Sequence, residues 1–151
     1  MMIKIICVGK LKEKYLRDAV TEYSKRMSRY TKLSIIELDS GNNNKSSDLE
    51  KEKNKIMKNI DEHDFVITLE IDGKMLSSVE LAKKIDETLM INSNLIFVIG
   101  GSDGLHLEVK KRSNYKLSFS KMTFPHQLFR VLLLEQIYRS FKIIKNESYH
   151  K

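Results

Sequence analysis

LIFVIGGSDGL (Leu95–Leu105) and LSFSKMTFPHQLFRVLLLEQIYRSF (Leu117–Phe141) hold Gly100, Gly101 and Gly104 together with the chain's only proline, Pro125. A short, branched, apolar run closed by glycines predicts a buried strand, Leu95–Ile99. Pro125 predicts the start of a helix, because a missing N–H costs nothing in a first helical turn. A further strand is expected over Leu117–Ser120, and the helix runs from His126 to about Phe141.

The same grammar repeats toward the N-terminus. Ile3–Val8, closed by Gly9, reads as a buried strand, and Lys14–Tyr30 carries Leu16, Ala19, Val20, Tyr23 and Met27 at helical spacing. Lys32–Leu38 is a second strand, ended by DSGNNNKSS, whose composition predicts a mobile surface loop. Ser47 and Glu50 have capping-box spacing and open a charged helix to about Ile60. Phe65–Ile71 is a third strand turned at Asp72-Gly73, and Ser77 with Glu80 caps a helix over Val79–Leu89. Apolar strands alternating with helices predict an α/β fold, a mainly parallel sheet with helices on both faces. Ligands in such sheets bind beyond the carboxyl ends of strands, which selects the loops after Leu69, Ile99 and Leu117.

A chain of 151 residues predicts one domain, residues 1–151, with a real core and no room for a separate recognition domain. The formal charge is +7, and Lys10–Lys32 holds eight basic residues against three acidic, a local surplus of +5. A concentrated surplus suggests a polyanionic partner, although a Lys-rich surface alone produces the same composition. Cys7 is the single cysteine, which excludes an internal disulfide and a cysteine metal cage; within IKIICVG it reads as a small buried hydrophobe. No run approaches the length of a membrane span and no signal-like start is present, so a cytoplasmic location is expected.

The Gly100–Gly104 turn fits neither a Walker loop nor G-x-G-x-x-G; it suits a close ligand approach and a tight turn needing positive φ equally well. His126 lies at a helix N-terminus, where the macrodipole favours a neutral ring able to accept a proton; packing at the turn is the plainer reading. His63 and His106 read as surface-loop histidines. Leu128, Phe129, Val131, Leu132, Leu133, Leu134, Ile137, Tyr138 and Phe141 surround nearly the whole helix. That predicts burial on every side, by a second copy in a homodimer or within a monomer core. The Asn146–Lys151 tail reads as a frayed end, or as an aromatic and a histidine able to stack on and hydrogen-bond a base.

VIGGSDGL, LSFSKMTFPHQLFRVLLLEQIYR and the terminal ESYHK, with IKIICVGKLK, TEYSKR and LEIDGK, together resemble the RlmH family. These are small SPOUT-class (α/β-knot) enzymes that methylate a pseudouridine in large-subunit (23S) ribosomal RNA, and the resemblance covers essentially the full chain. It implies a C-terminal trefoil knot, S-adenosylmethionine as methyl donor with no metal, a homodimer, and N3 of a pseudouridine in assembled ribosomes as the target. Residue by residue, it lines the donor pocket with Leu69, Gly100, Gly101 and Gly104, and with Ser120, Lys121, Met122, Thr123, Phe124 and Pro125. Ser102 stands where many relatives have proline. Within that activity, His126 is the candidate to accept the N3 proton and Arg139 to stabilise charge on the base. Tyr149 and His150 would orient the base, and Arg130 would serve the dimer seam or a phosphate. A SPOUT methyltransferase acting on transfer RNA, or a non-catalytic RNA-binding assembly factor, are the other readings.

Overall fold

A computed structural model describes residues 2–39 and 45–151. Its elements are β1 (Met2–Val8), α1 (Lys14–Met27), β2 (Lys32–Leu38), α2 (Lys45–Lys58), β3 (Phe65–Met75), α3 (Ser78–Ile91), β4 (Asn94–Ile99), α4 (Leu107–Arg112), β5 (Tyr115–Ser118) and α5 (His126–Ile144). The sheet has five strands in the order β2-β1-β4-β3-β5. Every pairing is parallel, which sharpens the expected mainly parallel sheet.

The strand alternation divides the core. Ile3, Ile5, Cys7, Ile67, Leu95 and Phe97 face the layer that takes Met27 from α1, Leu81 and Ile85 from α3, and Leu133, Leu134 and Ile137 from α5. Ile6, Val8, Val66, Ile96 and Val98 face the opposite layer, covered by Ile56 of α2 and Val109 of α4. Because β1 and β4 are covered on both faces, they are near-continuous apolar runs, broken only by Lys4 and Asn94 near their starts. Fully burying one Phe97-sized side chain contributes about 2 to 3 kcal/mol. Cys7 is buried, as expected, and burial pushes its thiol up to about 11.

The capping box at α3 is present in both directions: Ser77 N–H donates to Glu80 Oε1 at 2.8 Å, and Glu80 N–H donates to Ser77 Oγ at 3.1 Å. The helix expected to open at Ser47 already begins at Lys45, so Ser47 lies inside it. Glu50 turns to Lys53 and His106. Residues 40–44 of the expected mobile loop lie outside the described residues. The helix expected to reach Tyr30 ends at Met27.

Two more departures come from tertiary context. The helix α4 is too short for periodicity to announce, and His106 is its N-cap rather than a loop histidine. Its Nδ1 accepts from Glu108 N–H at 3.0 Å and its Nε2 meets Glu50 at 2.9 Å. The strand β3 does not stop at Ile71: its pairing with β5 skips from Leu69 to Lys74, so Glu70–Gly73 bulges out beside the sheet. At Gly73 a Cβ would meet the β5 backbone at 2.8 Å, so only glycine permits that approach.

Candidate functional site

The bulge of β3 and the carboxyl ends of β4 and β5 open into one cavity of about 460 Å³, within the size range of small-molecule sites. The three loops expected to follow strand ends, after Leu69, Ile99 and Leu117, all reach it. Leu69 to Asp72 contribute from β3, Ile99 to Ser102 with Gly104 and Leu105 from β4, and Leu117 to Ser120 with Met122 to Phe124 from β5. His126 and Phe129 enter from the first turn of α5, and Lys110 from α4.

The glycine turn is geometrically demanding. Gly104 has φ 77°, and its N–H donates to Gly101 carbonyl at 3.0 Å. A Cβ on Gly100 would meet the Gly104 carbonyl oxygen at 2.8 Å, so the turn can close this tightly only without side chains. The facing loop is held by Ser120, whose Oγ accepts from Met122 N–H at 3.0 Å, while Ser118 Oγ donates to Ser120 carbonyl at 3.1 Å. Beneath it Phe119 and Phe124 pack on Phe129, with ring centroids at 4.8 and 6.0 Å. Together these make an apolar wall fed by backbone polar groups, a surface suited to a flat ligand with a few hydrogen-bonding edges.

Of the residues singled out for a donor pocket, Leu69, Gly100, Gly101, Gly104, Ser120, Met122, Thr123 and Phe124 line this cavity. Lys121 and Pro125 belong to the same loop without lining it; Pro125 is the N-cap of α5, not its first helical residue. His126 is exposed, at the cavity's rim.

Arg139, Tyr149 and His150 form a second group that does not reach this cavity. Arg139 lies thirteen positions beyond His126 along α5, or ~20 Å of helix. The tail is not frayed. Asn146, at φ 55°, ends α5: its N–H donates to Ile143 carbonyl at 3.0 Å and Glu147 N–H to Lys142 carbonyl at 2.9 Å. This pair of bonds is a Schellman closure, and it folds the tail back along α5. Glu147 then accepts from Lys142 Nζ at 3.0 Å and Tyr30 Oη at 3.1 Å. Tyr149 sets its ring edge-on to Tyr138 at 4.9 Å and donates its hydroxyl to Glu135 at 3.0 Å. Burial, then the Glu135 carboxylate, pushes the Tyr149 hydroxyl up to about 12. Arg139 donates to the same carboxylate at 3.1 Å, lies 4.7 Å over the Tyr149 ring, and meets His150 Nδ1 at 3.1 Å.

Three residues that the sequence reading passed over now matter. Glu135 is the hub of the tail cluster, and its signal was the four-residue spacing to Arg139 on an otherwise apolar helix. Glu70 and Lys110 line the cavity; Glu70 follows Leu69 at a strand's carboxyl end, whereas nothing local marked Lys110. Arg130, read as serving the dimer seam or a phosphate, is engaged within the chain. At 2% exposure it is tied to Glu37 and to Gly9 carbonyl at 3.0 Å. Glu37 in turn accepts from Leu11 N–H at 3.1 Å and Gln127 from Lys12 N–H at 2.9 Å, so the β1–α1 loop is latched beside the entrance of α5.

Comparison with known proteins gives a consistent set of similarities. The family described as "Predicted SPOUT methyltransferase" matches residues 1–150. The chain is 58% identical to the Ribosomal RNA large subunit methyltransferase H of Clostridium botulinum (strain Alaska E43 / Type E3), with 100% of both chains covered. It is 50% identical to the protein of that name from Caldicellulosiruptor saccharolyticus, over 99% of this chain and 100% of the other. A solved structure described as a probable methylase family protein from Haemophilus influenzae Rd KW20 superposes with TM-score 0.60 at 15% identity, covering 99% of this chain and 70% of that one.

Proposed function

We propose that this chain, which belongs to the SPOUT methyltransferase family and there to the ribosomal RNA large subunit methyltransferase H group, methylates N3 of a pseudouridine in large-subunit ribosomal RNA of assembled ribosomes, using S-adenosylmethionine. The observation that carries this reading is the convergence of the Gly100–Gly104 turn and the Ser120–Phe124 loop on one cavity at the strand ends. Bound there, S-adenosylmethionine supplies an electrophilic methyl group. The cavity fits such a molecule: about 460 Å³, aromatic and aliphatic walls for a flat ring, and backbone groups exposed where glycine leaves no side chain.

The protein's own part is orientation and proton removal. N3 of a pseudouridine is a poor nucleophile while protonated, so a base must sit beside it. His126, on the rim, is placed to take that proton directly or through water. Arg139, Tyr149 and His150 are ~20 Å of helix away, so they act on the base only from a second copy, across a two-fold interface on α5. Supporting that homodimer, α5 leaves Leu128 39% exposed and Val131 and Leu132 half-buried. In this reading the basic face of α1 holds the RNA backbone, and a trefoil path of the C-terminal segment brings the two loops together. One SPOUT domain over residues 1–151, working in the cytoplasm, completes it; no helix of the described residues is long and apolar enough to cross a membrane.

Calorimetric titration with S-adenosylmethionine tests the reading. Saturable heat is expected, and its absence would favour an RNA-binding factor without a methyl donor. Mapping methylated nucleotides in ribosomal RNA from cells lacking the protein then identifies the target, and an unchanged methylation pattern contradicts it.

A further inference from the structure

Among the described residues, Asp72 lines the cavity from an exposed position, and Glu70, on the same bulge, is the one carboxylate that does so largely covered. Its side chain is 13% exposed. The hydroxyl of Thr68, itself fully buried, donates to Glu70 Oε2 at 2.6 Å and fixes the orientation of the carboxylate. The other oxygen, Oε1, lies 3.8 Å from Lys110 Nζ, too far for a hydrogen bond. An ionised carboxylate accepts about four hydrogen bonds, and one withdrawn from water with most of that capacity unused demands positive charge nearby. Lys110, 41% exposed, supplies part of it from the solvent side. The remaining side of the carboxylate is the cavity.

We infer that Glu70 is the counter-charge for the sulfonium of the methyl donor, so that the site prefers the cationic donor to its neutral thioether product. This rests on the donor assignment made above and adds a selectivity to it. The chemistry explains why a carboxylate belongs there. A sulfonium carries a full positive charge but no N–H or O–H, so aliphatic walls such as Ile99 and Leu117 leave it uncompensated; the Phe124 ring face and backbone carbonyls offer partial negative charge, and a carboxylate offers a full one. During transfer a carbon–nitrogen bond forms at N3 as the carbon–sulfur bond breaks. The bonding pair stays on sulfur, which becomes neutral, and the N3 proton leaves to His126 or water. Once the positive charge on sulfur has gone, Glu70 keeps only the more distant Lys110 as counter-charge, and the product is held less tightly than the donor was. A tilt toward release after each turnover is built into the bulge of β3.

Calorimetry with S-adenosylmethionine and with S-adenosylhomocysteine, on the full chain, tests this. In Glu70→Gln, which keeps the shape and an acceptor for Thr68, donor affinity should fall about tenfold or more while product affinity stays within about twofold. In Lys110→Met, which removes the competing cation, donor affinity should rise about threefold with the product unaffected. Equal weakening of both ligands in Glu70→Gln would overturn the inference, since the carboxylate would then hold a group common to both. So would an unchanged donor affinity in either variant. Circular dichroism checks that Glu70→Gln is folded; if it is not, the Lys110→Met result decides. Native protein that binds both ligands while the variants fail to discriminate refutes only the role of Glu70. Native protein that binds neither removes the donor assignment and this inference with it.

Discussion

His126 and Cys7 show how a side chain's surroundings set what it can do. His126 is exposed on the cavity rim, free to meet a base arriving from solvent. His126→Ala should therefore lower methylation turnover by about 100-fold, the scale of a lost general base, and leave donor affinity within about twofold. Single-turnover methylation of ribosomes alongside donor titration checks this, and a loss of donor binding instead would make His126 part of the pocket. Cys7 is the opposite case, sealed between β2 and β4 with its thiol pushed up by burial to about 11 from an ordinary 9.0. The folded state holds the neutral thiol better than the unfolded state does. Its contribution is complete below pH about 9 and is lost as pH rises through about 11. Denaturant unfolding across that window should show a loss of roughly 2 kcal/mol that Cys7→Ala abolishes.

The helix α5 and the tail behind it form a unit whose closure depends on one left-handed residue. Asn146 tolerates φ 55°, while a β-branched side chain there would not. Asn146→Val should cost about 1 to 2 kcal/mol, read in thermal unfolding, and should loosen Tyr149 from Glu135, read as faster hydrogen exchange in the tail; Asn146→Gly should be near neutral. Removing residues 149–151 should leave the sheet intact and lower stability by about 1 kcal/mol through the lost Tyr138–Tyr149 contact. If the tail orients the base, the same truncation abolishes methylation, and an unaffected rate removes Tyr149 and His150 from the chemistry. The latch at the other end of α5 is as specific. Arg130 joins α5 to β2 and to the β1–α1 loop, and its buried Nε has no hydrogen-bond partner among the described residues.

Assembly is the level at which the two clusters on α5 can be reconciled. One end of α5 meets the cavity and the other holds Arg139, Tyr149 and His150, with Leu128, Val131 and Leu132 incompletely covered between them. An antiparallel two-fold pairing of this helix would bring the tail of one copy toward the cavity of the other. Leu132→Asp should then shift sedimentation from dimer to monomer and reduce methylation at least tenfold while donor binding persists. A native chain that sediments as a monomer would sever the tail from the cavity and end the composite-site reading. The basic surplus is partly neutralised on α1 itself, by Lys14 with Asp18 at 2.6 Å and Arg26 with Glu22 at 3.1 Å. The cations left over are those available to a phosphate backbone.

What could be read along the chain was whatever depends on neighbours within a turn or a strand. The apolar runs of β1 and β4, the Ser77–Glu80 cap, the proline entrance to α5 and the glycine turn all follow from local sterics and burial period, and together they were enough to locate the cavity. Side-chain partners across the fold could not be read that way. Glu37 with Arg130, separated by 93 positions, His106 with Glu50, and Glu70 between Thr68 and Lys110 meet because the sheet's strand order brings distant segments together. The docking of the tail on Glu135 belongs with them. An ion pair or a buried hydrogen bond takes its strength from distance and desolvation, and both are properties of the packed chain.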